Sequence, residues 1–341
     1  MLETALSYSD VMLLPKHSEI ESRAKVDLSV EVGKGFKFAS PLVPSNMKTI
    51  TGEQMALYLY SQRQLGLLHR FMNREEKFSL LKSLQAKHPH IFDCVGMSIG
   101  IQDQDYKELD EFVELGVRII CVDVAHLDCR SGLKMVSYIA KKHPQLLLIA
   151  GNTATRDAAY RAYEAGVDGL RQNIGSGAIC TTRIETGNGV PAFTSVKWAA
   201  EARDAYQTAT GRKVFLIADG GASSPGDVCK ALCFADMVMC GSIFAGTNEA
   251  NGESYYDGGR RYKHYDGSST YKPNRIEGVR SLVEYKGDVS GVFQRYHEGL
   301  QSCCSYQNAH NLSELKRDPQ FVMITNAGWI ESNAHGVKVI A

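Results

Sequence analysis

Short apolar runs recur along this chain of 341 residues, and most are followed by a stretch with helical spacing. Runs suited to strands fall at 41–46, 65–70, 93–98, 118–125, 145–152, 167–174, 213–220 and 236–242. Several, such as Leu146-Leu147-Leu148-Ile149-Ala150, are apolar at consecutive positions, so neither face is left for water. Strands buried on both faces belong to parallel sheets covered by helices. Helical stretches intervene at 53–62, 75–87, 106–115, 132–142, 156–165, 195–209 and 224–232, and the spacing returns at 289–303. Gly116 and Gly166 stand where two of these helices must stop before the next strand. The alternation predicts an α/β fold, a (β/α)8 TIM barrel, whose usual size of about 250 residues suits the chain. An open doubly wound sheet is the rival. It is weakened because no Gly-x-Gly-x-x-Gly follows the first strand.

Barrels of this kind carry their active sites at the carboxyl ends of the strands. Polar residues gather at those ends: Ser45, Asn46, Lys48, His69, Arg70, Ser98, Asp123, His126, Asn152, Asp219 and Ser242. Each alone would serve as a cap or turn residue, and it is their shared position that predicts one mouth. Beyond Gly246 the rhythm breaks, and residues 248–286 are rich in Gly, Tyr and charge. A segment that long without regular structure predicts a lid. Residues 321–341 read as a tail with little internal order.

The run Asn173-Ile174-Gly175-Ser176-Gly177-Ala178-Ile179-Cys180-Thr181-Thr182-Arg183 carries the sharpest chemistry. It leaves a strand, bends through glycines and ends on a thiol, which as thiolate is a strong nucleophile. Two further glycine turns, Asp219-Gly220-Gly221 with Ser224-Pro225 after it and Cys240-Gly241-Ser242, follow strands seven and eight. Loops there commonly cradle a phosphate with main-chain N–H groups and a helix N-terminus. Asp219 is placed to accept hydrogen bonds from ribose hydroxyls.

Composition narrows the partners. Hydrophobic content of 44% and charged content of 22% are ordinary for a soluble globular protein. A formal net charge of zero leaves no electrostatic footprint for nucleic acid or an anionic membrane. No apolar run is long enough to span a bilayer, and the N-terminus shows no signal-peptide pattern. The nine cysteines are odd in number and scattered, which predicts a reducing, cytoplasmic setting rather than a disulfide framework. Cys229 and Cys233 lack a second pair, so no zinc site is predicted.

With these motifs in hand, the chain resembles the inosine-monophosphate dehydrogenase and guanosine-monophosphate reductase family. The match runs from 8–16 through Ser45-Asn46-Met47, Ala150-Gly151-Asn152, the Cys180 loop, Ala218-Asp219-Gly220-Gly221 and Tyr265-Asp266-Gly267-Ser268-Ser269 to Tyr285-Lys286-Gly287-Asp288. The resemblance implies one catalytic barrel over 1–341 with a flap at about 248–286, and a purine nucleoside monophosphate as substrate. It implies Cys180 as the nucleophile at purine C2, with Thr182 and Glu277 managing a departing amine. It places Asp219, Gly220, Gly221, Gly241, Ser242, Tyr265, Gly267 and Ser268 around the nucleotide, and Asn46, Ser98, Asp123 and Asn152 near a nicotinamide cofactor. A homotetramer is the family's assembly, and a potassium ion at Gly175 and Gly177 is left open.

Within the family this chain looks closer to the reductases. Residues 269–277 are short and hold no Arg-Tyr pair of the kind that activates water in the dehydrogenases, and Arg261-Tyr262 precedes the Tyr265 motif. Arg70-Phe71-Met72 runs directly into the next helix, where dehydrogenases usually insert a regulatory domain. The resemblance therefore implies reductive deamination of GMP with NADPH, with NADH as the other cofactor choice. The alternatives are a dehydrogenase without its regulatory domain, a relative acting on another purine monophosphate, and a nucleotide-binding protein without turnover. Four departures bear on the ligand site. Gln172-Asn173 stands where the family usually has Val-Gly, Ala178 where it has Ser, and His126 where it has Asn.

Overall fold

The computed structural model describes residues 3–267 and 278–334. Its centre is an eight-stranded parallel sheet built from β1 (Leu42–Pro44), β2 (Gly66–Leu68), β3 (Val95–Ile99), β4 (Ile119–Asp123), β5 (Leu147–Thr153), β6 (Gly169–Gln172), β7 (Phe215–Asp219) and β8 (Met237–Cys240). The ladder runs β2-β3-β4-β5-β6-β7-β8-β1, so the first strand returns beside the last. Near the feet of β1 and β2, the Ala39 N–H donates to the Arg63 carbonyl at 2.9 Å and draws the two ends together. This is the (β/α)8 barrel that the alternation predicts.

Helices cover the outside: α1 (Glu53–Ser61), α2 (Arg74–Lys87), α3 (Asp103–Glu114), α4 (Arg130–Lys142), α5 (Arg156–Ala165), α6 (Ala192–Thr210), α7 (Pro225–Leu232) and α8 (Val289–Tyr306). Because they shield one face and the barrel interior fills the other, the strand residues Leu67, Val95, Ile120, Leu148, Leu170, Ile217 and Val238 are all buried. The helix boundaries follow local chemistry. Asn73 caps α2 in a reciprocal box with Glu76, and Ser224 caps α7 in the same way with Asp227, with Pro225 in the first turn. Gly166, in the left-handed region at φ 117°, ends α5.

Beyond the barrel the structure departs from the sequence-based expectations. Residues 321–341 read as a tail, yet Phe321–Met323 pairs antiparallel with Val11–Leu13, and a short helix follows at Asn326–Glu331. Phe321 supplies the reason, since it stacks on Phe234 and meets Phe193 edge to face. The lid is not structureless either. Its described residues form an antiparallel sheet of β9 (Ser254–Asp257), β10 (Arg260–Asp266) and β11 (Arg280–Glu284). The buried Lys263 ammonium ties that sheet down by donating to the carbonyls of Thr247, Asn248 and Ala250. A hairpin, Val30–Gly33 with Phe36–Phe38, lies at the opposite end, where Lys34 reaches Asp168 and the Leu146 carbonyl at the feet of β6 and β5.

Candidate active site

A cavity of about 360 Å³ opens at the carboxyl ends of the strands. Its walls come from the tips of several strands and the loops after them, as the barrel geometry requires. Cys180 lines it, on the loop between β6 and the short helix Thr182–Thr186. The Cys180 amide donates to the Gly177 carbonyl at 3.0 Å, which curls the loop, and its thiol lies 3.2 Å from the Thr182 hydroxyl. Both side chains face the same space. Arg183 staples the loop from behind: its guanidinium donates to the Ile174 and Val190 carbonyls. Burial lowers the Arg183 pKa from its ordinary value, with the neighbouring Cys180 sulfur acting in the opposite sense.

The opposite wall is made by the two glycine turns. Gly220 and Gly221 are successive left-handed residues at φ 76° and 81°, a bend that side-chain-bearing residues resist. They bring the turn against the Cys180 loop, where the Ser176 hydroxyl donates to the Asp219 carbonyl at 3.3 Å. Gly241 is required for a different reason: a Cβ there would lie 2.3 Å from the Tyr265 hydroxyl. Tyr265, buried on β10, thus delivers its hydroxyl to the turn that begins with Gly241 and Ser242. Burial, then the charges of Asp219 and the nearby thiols, raises its pKa, so it stays a neutral hydrogen-bonding group. Gly267 completes this rim beside Ile179.

Between the two walls sits a buried ion cluster that sequence reasoning missed. Arg171, near the tip of β6, donates from Nη1 to Asp123 Oδ1 at 2.6 Å and from Nη2 and Nε to Asp219 Oδ2 at 2.8 and 3.0 Å. Burial opposes its charge, but Asp219 and Asp123 outweigh that penalty and hold its pKa well above the ordinary value. Asn152 Nδ2 donates to the same Asp219 oxygen at 2.8 Å and to the Asn173 carbonyl at 2.8 Å. Asp219 Oδ2 is therefore saturated, leaving Oδ1 as the oxygen that can accept from a ligand. The available signal was the charge itself: a lone arginine in a strand buried on both faces must find carboxylates.

The other expected positions divide. Asp123, Asn152, Gly175 and Gly177 line the cavity, as does Arg70, whose Nε lies 3.5 Å from Asp123 Oδ2. Asn46 and Ser98 are not among the lining residues: Asn46 Nδ2 donates to the Ser98 hydroxyl at 2.9 Å, and both are buried. Ser268 and Glu277 lie outside the described residues. Among the four departures, Ala178 is exposed on the cavity rim, while His126 is exposed and does not line it. Gln172 is buried and fully engaged, accepting from the Thr153 hydroxyl and donating to Ser195. Asn173 lines the cavity at φ 140°.

A parallel barrel with a loop thiol facing two glycine turns across one cavity defines a class, an enzyme-like (β/α)8 barrel with its cavity at the carboxyl ends of the strands. The IMP dehydrogenase / GMP reductase domain matches residues 5–335, and the chain belongs to that family. A GMP reductase of Bacillus thuringiensis (strain Al Hakam) is 32% identical over 336 residues, covering 96% of this chain and 98% of the relative. A GMP reductase of Clostridium acetobutylicum is 32% identical over 335 residues, with the same two coverages. A GMP reductase of Bacillus anthracis is 32% identical over 329 residues, covering 94% of this chain and 96% of its own. Among the described residues no helix is long and apolar enough to cross a membrane.

Proposed function

We propose that this protein is a GMP reductase, converting GMP and NADPH to IMP, ammonia and NADP+. The observation that carries the reading is the Cys180 thiol, 3.2 Å from the Thr182 hydroxyl and in one cavity with the turns at Gly220-Gly221 and Gly241-Ser242. The turns would hold the 5′-phosphate through main-chain N–H groups, with the Tyr265 hydroxyl and Ser242 beside them. Asp219 Oδ1 accepts from the ribose, while Arg171 and Asn152 fix the carboxylate through Oδ2. Pinned at both ends, the purine is oriented with C2 toward sulfur, which removes much of the entropic barrier to attack.

In the first step the Cys180 thiolate forms a bond to C2, and the C2–N bond breaks as ammonia leaves. The amine departs only when protonated. Thr182 would relay that proton, with Glu277 as the acid that the family resemblance assigns. The product of this half is a thioimidate on Cys180, which divides one hard displacement into two easier ones. A reduced nicotinamide supplies the hydride that C2 receives, and the C–S bond then breaks to release IMP and regenerate the thiolate. Arg70, Asp123 and Asn152, which line the cavity, would form the wall against this cofactor. NADPH is the preferred donor in this reading. Gly175 and Gly177 line the cavity, and their carbonyls would supply the oxygen ligands for a potassium ion there.

The single barrel unit, the tetramer and a cytoplasmic setting belong to the same reading. Incubation with GMP and NADPH tests it: the cofactor's near-ultraviolet absorbance falls while ammonia is released. A rise in absorbance with IMP and NAD instead would make the protein a dehydrogenase, and nucleotide binding without any absorbance change would make it a binding protein. Cys180→Ala should bind GMP as the wild type does and turn over nothing, and retained turnover would remove the covalent mechanism.

A further inference from the structure

Asn173 combines three features that a structural role does not explain. Its φ of 140° lies where side-chain-bearing residues are strained and glycine is favoured. Its side chain is buried, at 3% exposure, yet neither Oδ1 nor Nδ2 has a hydrogen-bond partner. Burying an unpaired donor and an unpaired acceptor together is costly, and a natural chain retains such a group only for a reason. The backbone does not supply that reason. The Asn173 N–H donates to the Thr153 carbonyl at 2.8 Å, and its own carbonyl accepts from Asn152, bonds that glycine would make without strain. The adjacent amide sharpens the contrast, because Gln172 is satisfied at both its oxygen and its nitrogen.

We infer that Asn173 is a specificity-determining residue whose carboxamide pairs with an amide edge of the bound ligand. The residue forms part of the cavity wall, between Asn152 and the loop that carries Cys180. A donor and an acceptor on one planar group pair best with another planar group presenting an acceptor beside a donor. This inference rests on the GMP reductase reading, in which two ligand groups have that edge. One is the lactam of the guanine ring, with its N1–H and C6 carbonyl, and the other is the carboxamide of the nicotinamide. Both Asn173 side-chain atoms are buried, so pairing entails a turn of the side chain toward the cavity that the residue lines.

Equilibrium titration of the full chain with GMP alone and with NADP+ alone tests the inference, comparing wild type with Asn173→Gly. The variant should melt at or above the wild-type temperature, since strain and two unpaired groups are removed, while its affinity for one of the two ligands falls tenfold or more. Loss confined to GMP assigns the purine lactam, and loss confined to NADP+ assigns the nicotinamide. In either case the matching analogue, 2-aminopurine riboside monophosphate without the lactam or the acetylpyridine form of NADP+ without the amide donor, should show a smaller difference between the two proteins than the parent ligand. Asn173→Asp, which keeps the shape and replaces the donor by an acceptor, should show the same loss and serves if the glycine variant folds poorly. Affinities within twofold of wild type for both ligands in both variants would overturn the inference and leave the GMP reductase reading intact. A wild-type protein that binds neither ligand overturns that reading, and the inference with it.

Discussion

Replacing Arg171 by methionine isolates the ion cluster at the centre of the site. Methionine keeps a long apolar stem in the strand but leaves Asp123 and Asp219 facing each other without the cation between them. In the wild type the guanidinium makes three hydrogen bonds to the two carboxylates, at 2.6, 2.8 and 3.0 Å, and its side chain is only 7% exposed. Removing one partner of a buried ion pair typically costs about 3–5 kcal/mol. Two stranded carboxylates would double that in an apolar interior. Both are partly open to the cavity, however, and keep Arg70 and Asn152 as neighbours, so a single loss of about 4 kcal/mol is the expected sum. For a chain of this length that corresponds to a fall in melting temperature of about 6 °C, if unfolding is cooperative. Thermal unfolding followed by circular dichroism at neutral pH measures it. The cause can be separated from lost packing by adding Asp123→Asn and Asp219→Asn to Arg171→Met, which should recover most of the loss. A loss below about 1 kcal/mol, or no recovery on neutralising the partners, would refute the claim that opposed charges organise this site.

Two further outcomes follow from particular contacts. Gly241→Ala should weaken GMP binding by tenfold or more with little change in melting temperature, because the new Cβ would lie 2.3 Å from the Tyr265 hydroxyl and displace it from the turn. Calorimetric titration decides it, and unchanged affinity would detach Tyr265 from the phosphate. His69 is buried with no partner for Nδ1, and burial, aided by Lys48, pushes its pKa down to about 4. The unfolded chain then binds a proton that the folded one refuses. The stability due to neutral His69 is complete above about pH 6.5 and is lost as pH falls toward 4, by up to about 3 kcal/mol. In urea unfolding at a series of pH values, His69→Gln should flatten that acid limb, and an unaltered slope would show that other groups set it.

The fold was legible because its signal is local. Eight runs apolar on both faces, each with a helix after it and several with a glycine stop, leave few arrangements other than a covered parallel barrel. The loops that line the cavity were legible because glycine marks them: the bend before Cys180 and the turns at Gly220-Gly221 and Gly241. The lid was read as irregular because its strands are rich in polar and charged residues and largely exposed, and the tail because its one strand is three residues long with a remote partner, Val11 with Met323. Nothing within such a short run announces a pairing made at the far end of the chain.

What the sequence could not decide is which side chains at the strand tips meet. In a strand buried on both faces, apolar content does not reveal which residues point inward, so Asn46 and Ser98 looked like mouth residues and Arg171 did not. Barrel register settles this. It sets Arg171 level with Gly151 on one side and Ile217 on the other, and so within reach of Asp123 and Asp219, each 48 positions away in sequence. Backbone tolerance and hydrophobic period are properties of a few neighbouring residues and survive in the sequence. The pairing of buried charges depends on how three strands are staggered against one another, and that exists only once the barrel has closed.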